Sequence, residues 1–348
     1  MSAQLKPTAL LALGLMAFST SAICEGLNVV GFGGSIAEVQ KVAIFDPFTA
    51  ETGIAIIQDE WGGEIAKVRV QVESGAVTWD VLQVEGAELQ VGCAEGLYVP
   101  LDWSKIGDRA DFLPLGNSEC GLGAVGSASI LMYDGEKIAE GPETWADFWD
   151  VAKWPGLRGM RNSPKETLEI ALLADGVSPA DIYTVLGTPE GMDRAYAKLD
   201  ELKPNILWWS SGAESIQRLA SAEVVMSTAW NGRPFLANKN DGRDFRIVWE
   251  AGGIVAMDNW VILNGSPKVE SAYSFLAFAA RPDIGAAFMK GIPYGVGQTG
   301  AYELLTEEER GQLPSSPANM QASVTTDQVF WVDNLDSIQQ RFDTWKAQ

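Results

Sequence analysis

From Leu27 onward, short apolar runs alternate with stretches of helical period, and that alternation confines the chain to an α/β fold. Leu27–Phe32 reads as a strand. Ser35-Ile36-Ala37-Glu38 then carries a capping-box pattern, with Val39, Val42 and Ala43 on one helical face. Ile54–Gln58 and Trp79–Val84 read as further strands, with a helix at Ile65–Val72 between them. This β-α-β-α-β opening predicts a mostly parallel sheet flanked by helices, because each helical crossover returns the chain in the same direction. Further on, Thr144-Trp145-Ala146-Asp147 is a second capping box, and Trp145, Phe148, Trp149 and Ala152 fall on one helical face. Ser178-Pro179-Ala180-Asp181 starts another helix, and Met192, Ala195, Tyr196, Leu199 and Leu202 line the face of the next. Helices also fit Ala213–Ala222 and Val269–Ala280, with strands near Val224–Thr228, Phe245–Trp249 and Trp260–Leu263. A chain of 348 residues is too long for one small core; it fits two ordinary domains or one large one. No repeat or long flexible linker interrupts it, so two domains would be joined by ordered crossings.

The first residues read as an address. Thr8–Phe18 is an apolar run behind one base, Lys6, and Thr20-Ser21-Ala22 offers a small-residue cleavage site. Cleavage after Ala22 predicts a soluble periplasmic chain. A lipoprotein reading needs a small residue before Cys24, and Ile23 stands there. In an oxidising compartment Cys93 and Cys120 are placed to bridge; the other reading is two free buried thiols. The 46 acids against 25 bases give a net charge of -21, which excludes a nucleic-acid binder. With no histidine, Ser-His-Asp and Cys-His catalysis and histidine-ligated zinc are excluded as well.

Four segments invite a ligand. Gly31-Phe32-Gly33-Gly34-Ser35 leaves a strand and enters a helix, where glycines let a ligand approach the backbone; plain turn chemistry explains them equally well. Trp208-Trp209-Ser210-Ser211-Gly212 holds adjacent tryptophans that cannot both face inward on a strand. Trp230-Asn231-Gly232-Arg233 follows an apolar strand, at the junction where open α/β sheets bind ligands. In Met257-Asp258-Asn259-Trp260 an acid interrupts an apolar run, which fits either a ligand amine or a structural ion pair or cap. Catalytic motifs are lacking: there is no G-x-S-x-G elbow, and no acid stands out as a proton donor.

These features, in order with Asp80–Glu85 (DVLQVE) and Leu168–Gly176 (LEIALLADG), resemble the extracellular solute-binding proteins of ABC importers, in the spermidine/putrescine-binding branch. The resemblance implies an α/β, two-lobed periplasmic-binding-protein fold of type II, with mostly parallel sheets, flanking helices and a hinge. It assigns 27–132 and 257–298 to one lobe, and 133–256 and 299–348 to the other. It implies a monomer that captures a small amine-bearing solute and passes it to an inner-membrane ABC permease, with no cofactor, metal or catalytic residue. Carried over by position, Phe32, Gly34, Ser35 and Glu85 contact the ligand from the first lobe. Asn162 or Ser163, Glu166, Trp209, Trp230 and Arg233 do so from the second. Asp258 matches the family's amine-binding aspartate, and Tyr294 falls near a cleft aromatic.

The departures from the polyamine pattern bear on the ligand. Ala256 stands where a tryptophan is expected, and Asn162 and Ser163 replace an acidic pair. Arg233 follows the cleft tryptophan, and its guanidinium suits a carboxylate better than a second ammonium. A polyamine such as putrescine or spermidine is the first expectation. A zwitterionic ω-amino acid such as 4-aminobutanoate is the alternative within the same class. A secreted carboxylate-dependent hydrolase is the rival from another class, requiring two acids about 5–10 Å apart in one cleft.

Overall fold

The computed structural model describes residue 1 and residues 26–348, so the expected export signal and Cys24 lie outside the described residues. Ten strands form one hydrogen-bonded sheet in the order β2-β1-β3-β9-β4-β7-β5-β6, with β10 on β9 and β8 on β4. They are β1 (Leu27–Gly31), β2 (Ile56–Glu60), β3 (Val81–Val84), β4 (Leu122–Asp134), β5 (Arg158–Arg161), β6 (Ile206–Trp209), β7 (Met226–Trp230), β8 (Phe245–Ile247), β9 (Ile254–Ile262) and β10 (Val324–Thr325). The expected parallel opening is present: β1 pairs in parallel with β2 and β3. A second parallel set, β7-β5-β6, lies at the far end. Between the two sets, β9 and β4 run antiparallel to each other and to their outer neighbours.

Neighbouring residues of the inner strands feed different cores, so both faces of the sheet are covered there, whereas the edge strand β2 is mostly exposed. Val29, Val81, Trp260 and Ile262 pack with Phe45, Phe48 and Phe275. Val30, Leu82, Val261 and Leu263 point the other way, onto Val68, Leu89 and Tyr98. At the far end, Leu131 and Tyr133 join Trp145, Phe148 and Trp331, while Ile130 and Met132 meet Leu219 and Phe245. The two central strands therefore pass from one pair of cores to the other. Along β4 the change falls between Val125 and Ala128, and along β9 between Val255 and Trp260.

Several local expectations shift. β2 begins two residues later than Ile54. Ser35 is not the cap of its helix, Gly34–Gln40; Gly33 holds that position without a side-chain bond. A π-helical turn at Lys41–Phe45 then rotates the following residues, leaving Val42 72% exposed while Ile44 and Phe45 are buried. The Thr144–Asp147 capping box forms, but its helix stops at Trp149, so Ala152 is exposed. β4 escapes a pattern search because Gly123, Ala124, Gly126, Ser127 and Ala128 do not alternate in polarity. A Cβ on Gly123 would lie 2.6 Å from Gly116 Cα, so the packing of this strand demands small residues.

Cys93 and Cys120 are bridged, with Cα atoms 5.9 Å apart, joining the helix Gly86–Ala94 to the segment that enters β4. Closing a loop of this length stabilises the fold by about 3–4 kcal/mol on the chain-entropy account. The Cys93→Ala/Cys120→Ala variant is therefore expected to lose that much in urea unfolding, and reductant should no longer change its midpoint.

Candidate functional site

A cavity of about 380 Å³ opens between the two ends of the sheet. One wall comes from Phe32, Gly33, Gly34, Trp61, Gln83 and Glu85, the facing wall from Arg161, Lys165, Glu166, Trp230 and Arg233. Asp258 and Ala256 of β9 and Tyr294 close the back.

The glycine loop has a definite function in this geometry. Gly33 and Gly34 adopt φ 65° and 64°, a conformation that L-residues with side chains rarely take. A Cβ on Gly34 would sit 3.1 Å from Arg233 Nη1. The bare backbone lets that guanidinium cross the cleft and donate to Ser35 Oγ at 2.7 Å. Ser35 thus holds Arg233 rather than lining the cavity. Arg233 itself is placed by its neighbours in sequence. Trp230 ends β7, and the buried Asn231 side chain donates to Pro293 O at 2.7 Å and accepts from Ala128 N at 3.0 Å. A Cβ on Gly232 would meet Tyr294 Cζ at 2.7 Å, so only glycine lets the tyrosine ring seat beside Arg233.

Asp258 is aimed by two glutamines. Gln40 Nε2 donates to Gln83 Oε1 at 2.8 Å, which leaves the Gln83 amide nitrogen to donate to Asp258 Oδ2 at 2.8 Å. Both glutamines are buried, so the amide orientation is determined by hydrogen bonding alone. Burial in the closed cavity, aided by the charge of Glu85, pushes the Asp258 carboxyl up to about 8. Burial likewise pushes the Tyr294 phenol up to about 12, with Arg233 opposing the change and Asp258 adding to it.

The other charges neutralise one another, within one wall and across the cleft. Arg161 Nη1 lies 2.6 Å from Glu166 Oε1, and its Nη2 lies 3.0 Å from Glu85 Oε1. Lys165 Nζ is 3.1 Å from both Glu85 Oε2 and Glu88 Oε1. Burial raises the Glu85 carboxyl, but Lys165 and Arg161 outweigh it and hold it down at about 2. Glu88 is pushed up by burial. Among the described residues no carboxylate forms an ion pair with Arg233, and its Nε lacks a hydrogen-bond partner. Deeper in the cavity, Glu169 Oε1 accepts from Tyr183 Oη at 2.8 Å and Trp331 Nε1 at 2.9 Å; burial pushes this carboxyl up to about 7.

Of the residues expected from sequence, Phe32, Gly34, Glu85, Glu166, Trp230, Arg233, Asp258 and Tyr294 line this one cavity. Trp209 does not. It is 0% exposed behind Trp230, edge-on at 5.5 Å, and its Nε1 donates to Thr228 Oγ1 at 3.1 Å. Its neighbour Trp208 packs on Phe342 and Trp345 of the C-terminal helix, so neither of the paired tryptophans reaches the ligand space. Asn162 is exposed and meets Lys346, while Ser163 caps the helix Pro164–Ala174 by accepting from Lys165 N at 3.2 Å. Arg161, Lys165, Gln83 and Trp61 were missed by the sequence reading. A cation that ends β5, directly after the buried Met160, was the one available signal for Arg161.

Comparison with known proteins adds the following. Residues 43–318 match the family described as bacterial extracellular solute-binding protein. The gamma-aminobutyric acid-binding protein of Pseudomonas aeruginosa is 44% identical over 95% of this chain and 94% of its own. A solved ABC transporter substrate-binding protein from Bradyrhizobium japonicum superposes with a TM-score of 0.84 at 35% identity, covering 92% of this chain and 99% of that one. The solved structure of a GABA receptor gives 0.82 at 31% identity, covering 93% and 98%. The putrescine-binding periplasmic protein of Escherichia coli is more distant, 23% identical over 80% of this chain and 81% of its own.

Proposed function

This chain belongs to the bacterial extracellular solute-binding proteins, the substrate-binding components of ABC transporters, and from that premise we propose that it captures a zwitterionic ω-amino acid of the 4-aminobutanoate type. Asp258 holds the ammonium and Arg233 the carboxylate. The observation that carries this reading is the pairing of charges. Arg161 and Lys165 are neutralised by Glu85, Glu88 and Glu166, whereas Arg233 has only neutral partners among the described residues. An unpaired guanidinium facing the cavity repels a di- or tri-cation and attracts a carboxylate. The 44% identity to a gamma-aminobutyric acid-binding protein supports the amino acid over the polyamine that the sequence put first.

Capture follows from closure of two lobes. The cores suggest one lobe built on β1–β3 with Ala301, Leu305 and Leu313, and another on β5–β7 with Val324 and Trp331. We place the crossings near 126–127, 256–258 and 314–323, which moves the first and third from the sequence-derived boundaries. Closure hands the solute to a membrane permease without covalent chemistry, the receptor acting as a periplasmic monomer.

Micromolar affinity needs about 8 kcal/mol net, and charge-assisted hydrogen bonds contribute about 1.5–3 kcal/mol each. Both anchors together with the Phe32, Trp61 and Trp230 surfaces approach that figure. Calorimetric titration with 4-aminobutanoate, putrescine and spermidine tests the reading: saturable binding of the amino acid alone is expected, and of a polyamine alone overturns it.

Asp258 makes the binding pH-dependent. Buried in this cavity, its carboxyl keeps its proton up to about pH 8, while an ammonium requires it ionised. Affinity should rise from pH 6 to pH 8, with about one proton released per ligand near pH 6 and about half a proton near pH 8. Without ligand the protein should lose stability over the same interval, because the unfolded carboxyl is already ionised there. Calorimetry in buffers of different ionisation enthalpy measures the release, and Asp258→Asn should abolish it while weakening binding about tenfold or more.

A further inference from the structure

Arg161 occupies a place in the cleft that has the composition of a ligand subsite. Its guanidinium carbon lies 5.1 Å from the centroid of the Trp230 ring. Glu166 and Glu85 flank it at 2.6 and 3.0 Å, and Trp230 Nε1 donates to Glu166 Oε1 at 3.3 Å. An aromatic face with two converging carboxylates is the recognition set for an alkylammonium. The chain strains itself to build it: Glu166 adopts φ 69° and ψ -42°, and Lys165 is also non-helical, so the first turn of Pro164–Ala174 is broken there. That break turns the Glu166 carboxylate back toward Arg161 and Trp230. Lys165, from the same broken turn, answers Glu85 and Glu88 across the cleft.

We infer that Arg161 is a built-in cation filling a second ammonium subsite made by Trp230, Glu85 and Glu166, and that it determines specificity by excluding diamines. This rests on the amino-acid reading above and deepens it. Asp258 remains the one place for a ligand ammonium, so a second ammonium finds its cage occupied. Removing the guanidinium leaves Glu85, Glu88 and Glu166 against Lys165 alone, a local deficit that a diamine's second charge restores. Arg161 therefore acts in selection, not in anchoring the carboxylate.

The test compares wild type, Arg161→Gln and Arg161→Lys in titrations with 4-aminobutanoate, putrescine and n-butylamine. In Arg161→Gln putrescine should bind about tenfold or more tighter than in wild type, and 4-aminobutanoate should lose less than about tenfold. Arg161→Lys, which keeps the charge, should retain the exclusion. Putrescine affinity unchanged in Arg161→Gln overturns the inference. So does a loss of 4-aminobutanoate of about tenfold or more, which would make Arg161 a carboxylate anchor. If Arg161→Gln does not fold, wild type still decides: putrescine should bind no tighter than n-butylamine, and a tenfold advantage for the diamine refutes an occupied cage. Failure of wild type to bind any ω-amino acid sinks the functional reading instead, and the diamine-monoamine comparison still reports on the cage.

Discussion

Arg233→Ala is expected to weaken 4-aminobutanoate by about 30-fold or more, because truncating one side of an enclosed charge pair costs about 2–5 kcal/mol. The loss has two parts. The ligand carboxylate gives up a fork of N–H donors, and it remains desolvated in a cavity whose other cations are already paired. Arg233→Lys should recover only part of the affinity, since an ammonium keeps the charge but cannot reproduce the fork or the bond to Ser35. Putrescine should gain in Arg233→Ala, because the charge that repels its second ammonium is gone. Calorimetric titration of both ligands reads the two effects, and no change in either removes Arg233 from the site. The pattern differs from that of Arg161→Gln, which should admit putrescine with a much smaller loss of the amino acid.

Arg158→Met is expected to destabilise the folded protein by about 3–5 kcal/mol, with unpaired buried carbonyls costing about 1–3 kcal/mol each. Arg158 is 0% exposed and pairs with no carboxylate among the described residues. Instead it donates to four carbonyls, Phe148 O at 2.7 Å, Gly156 O at 2.9 Å, Asp150 O at 3.2 Å and Trp154 O at 2.8 Å. It is thus the internal partner of the irregular turns that follow Trp149, where of these four oxygens Asp150 O also accepts from Trp154 N at 3.1 Å. Burial pushes the guanidinium down to about 10, which still leaves it charged at neutral pH. Methionine fills comparable volume but satisfies none of those oxygens. Urea unfolding measures the change, and a loss below about 1 kcal/mol would mean that water replaces the guanidinium.

The sequence revealed the ligand-facing residues that sit where strands end. Glu85 follows β3, Trp230 ends β7, and Asp258 interrupts β9, each at a boundary visible as a change of polarity. It misjudged Trp209, because an adjacent pair on a strand shows that the two rings diverge without showing which covering layer each meets. β4 was invisible for a different reason: its small residues answer to backbone contacts with Gly116, in the preceding turn, and with Gly297, which is remote in sequence.

By itself, then, the sequence determined the α/β class and pointed to the strand-end loops that line the cleft, since strand and helix periods are local; the bridge between Cys93 and Cys120 was one of its two readings. Only the tertiary structure decided which cation remains unpaired. Arg161 and Glu85 are 76 residues apart, Lys165 and Glu85 are 80 apart, and Arg233 and Ser35 are 198 apart. Coulomb energy depends on distance in space, which no local pattern encodes, so the choice between a diamine and a zwitterion appears only once the two walls face each other.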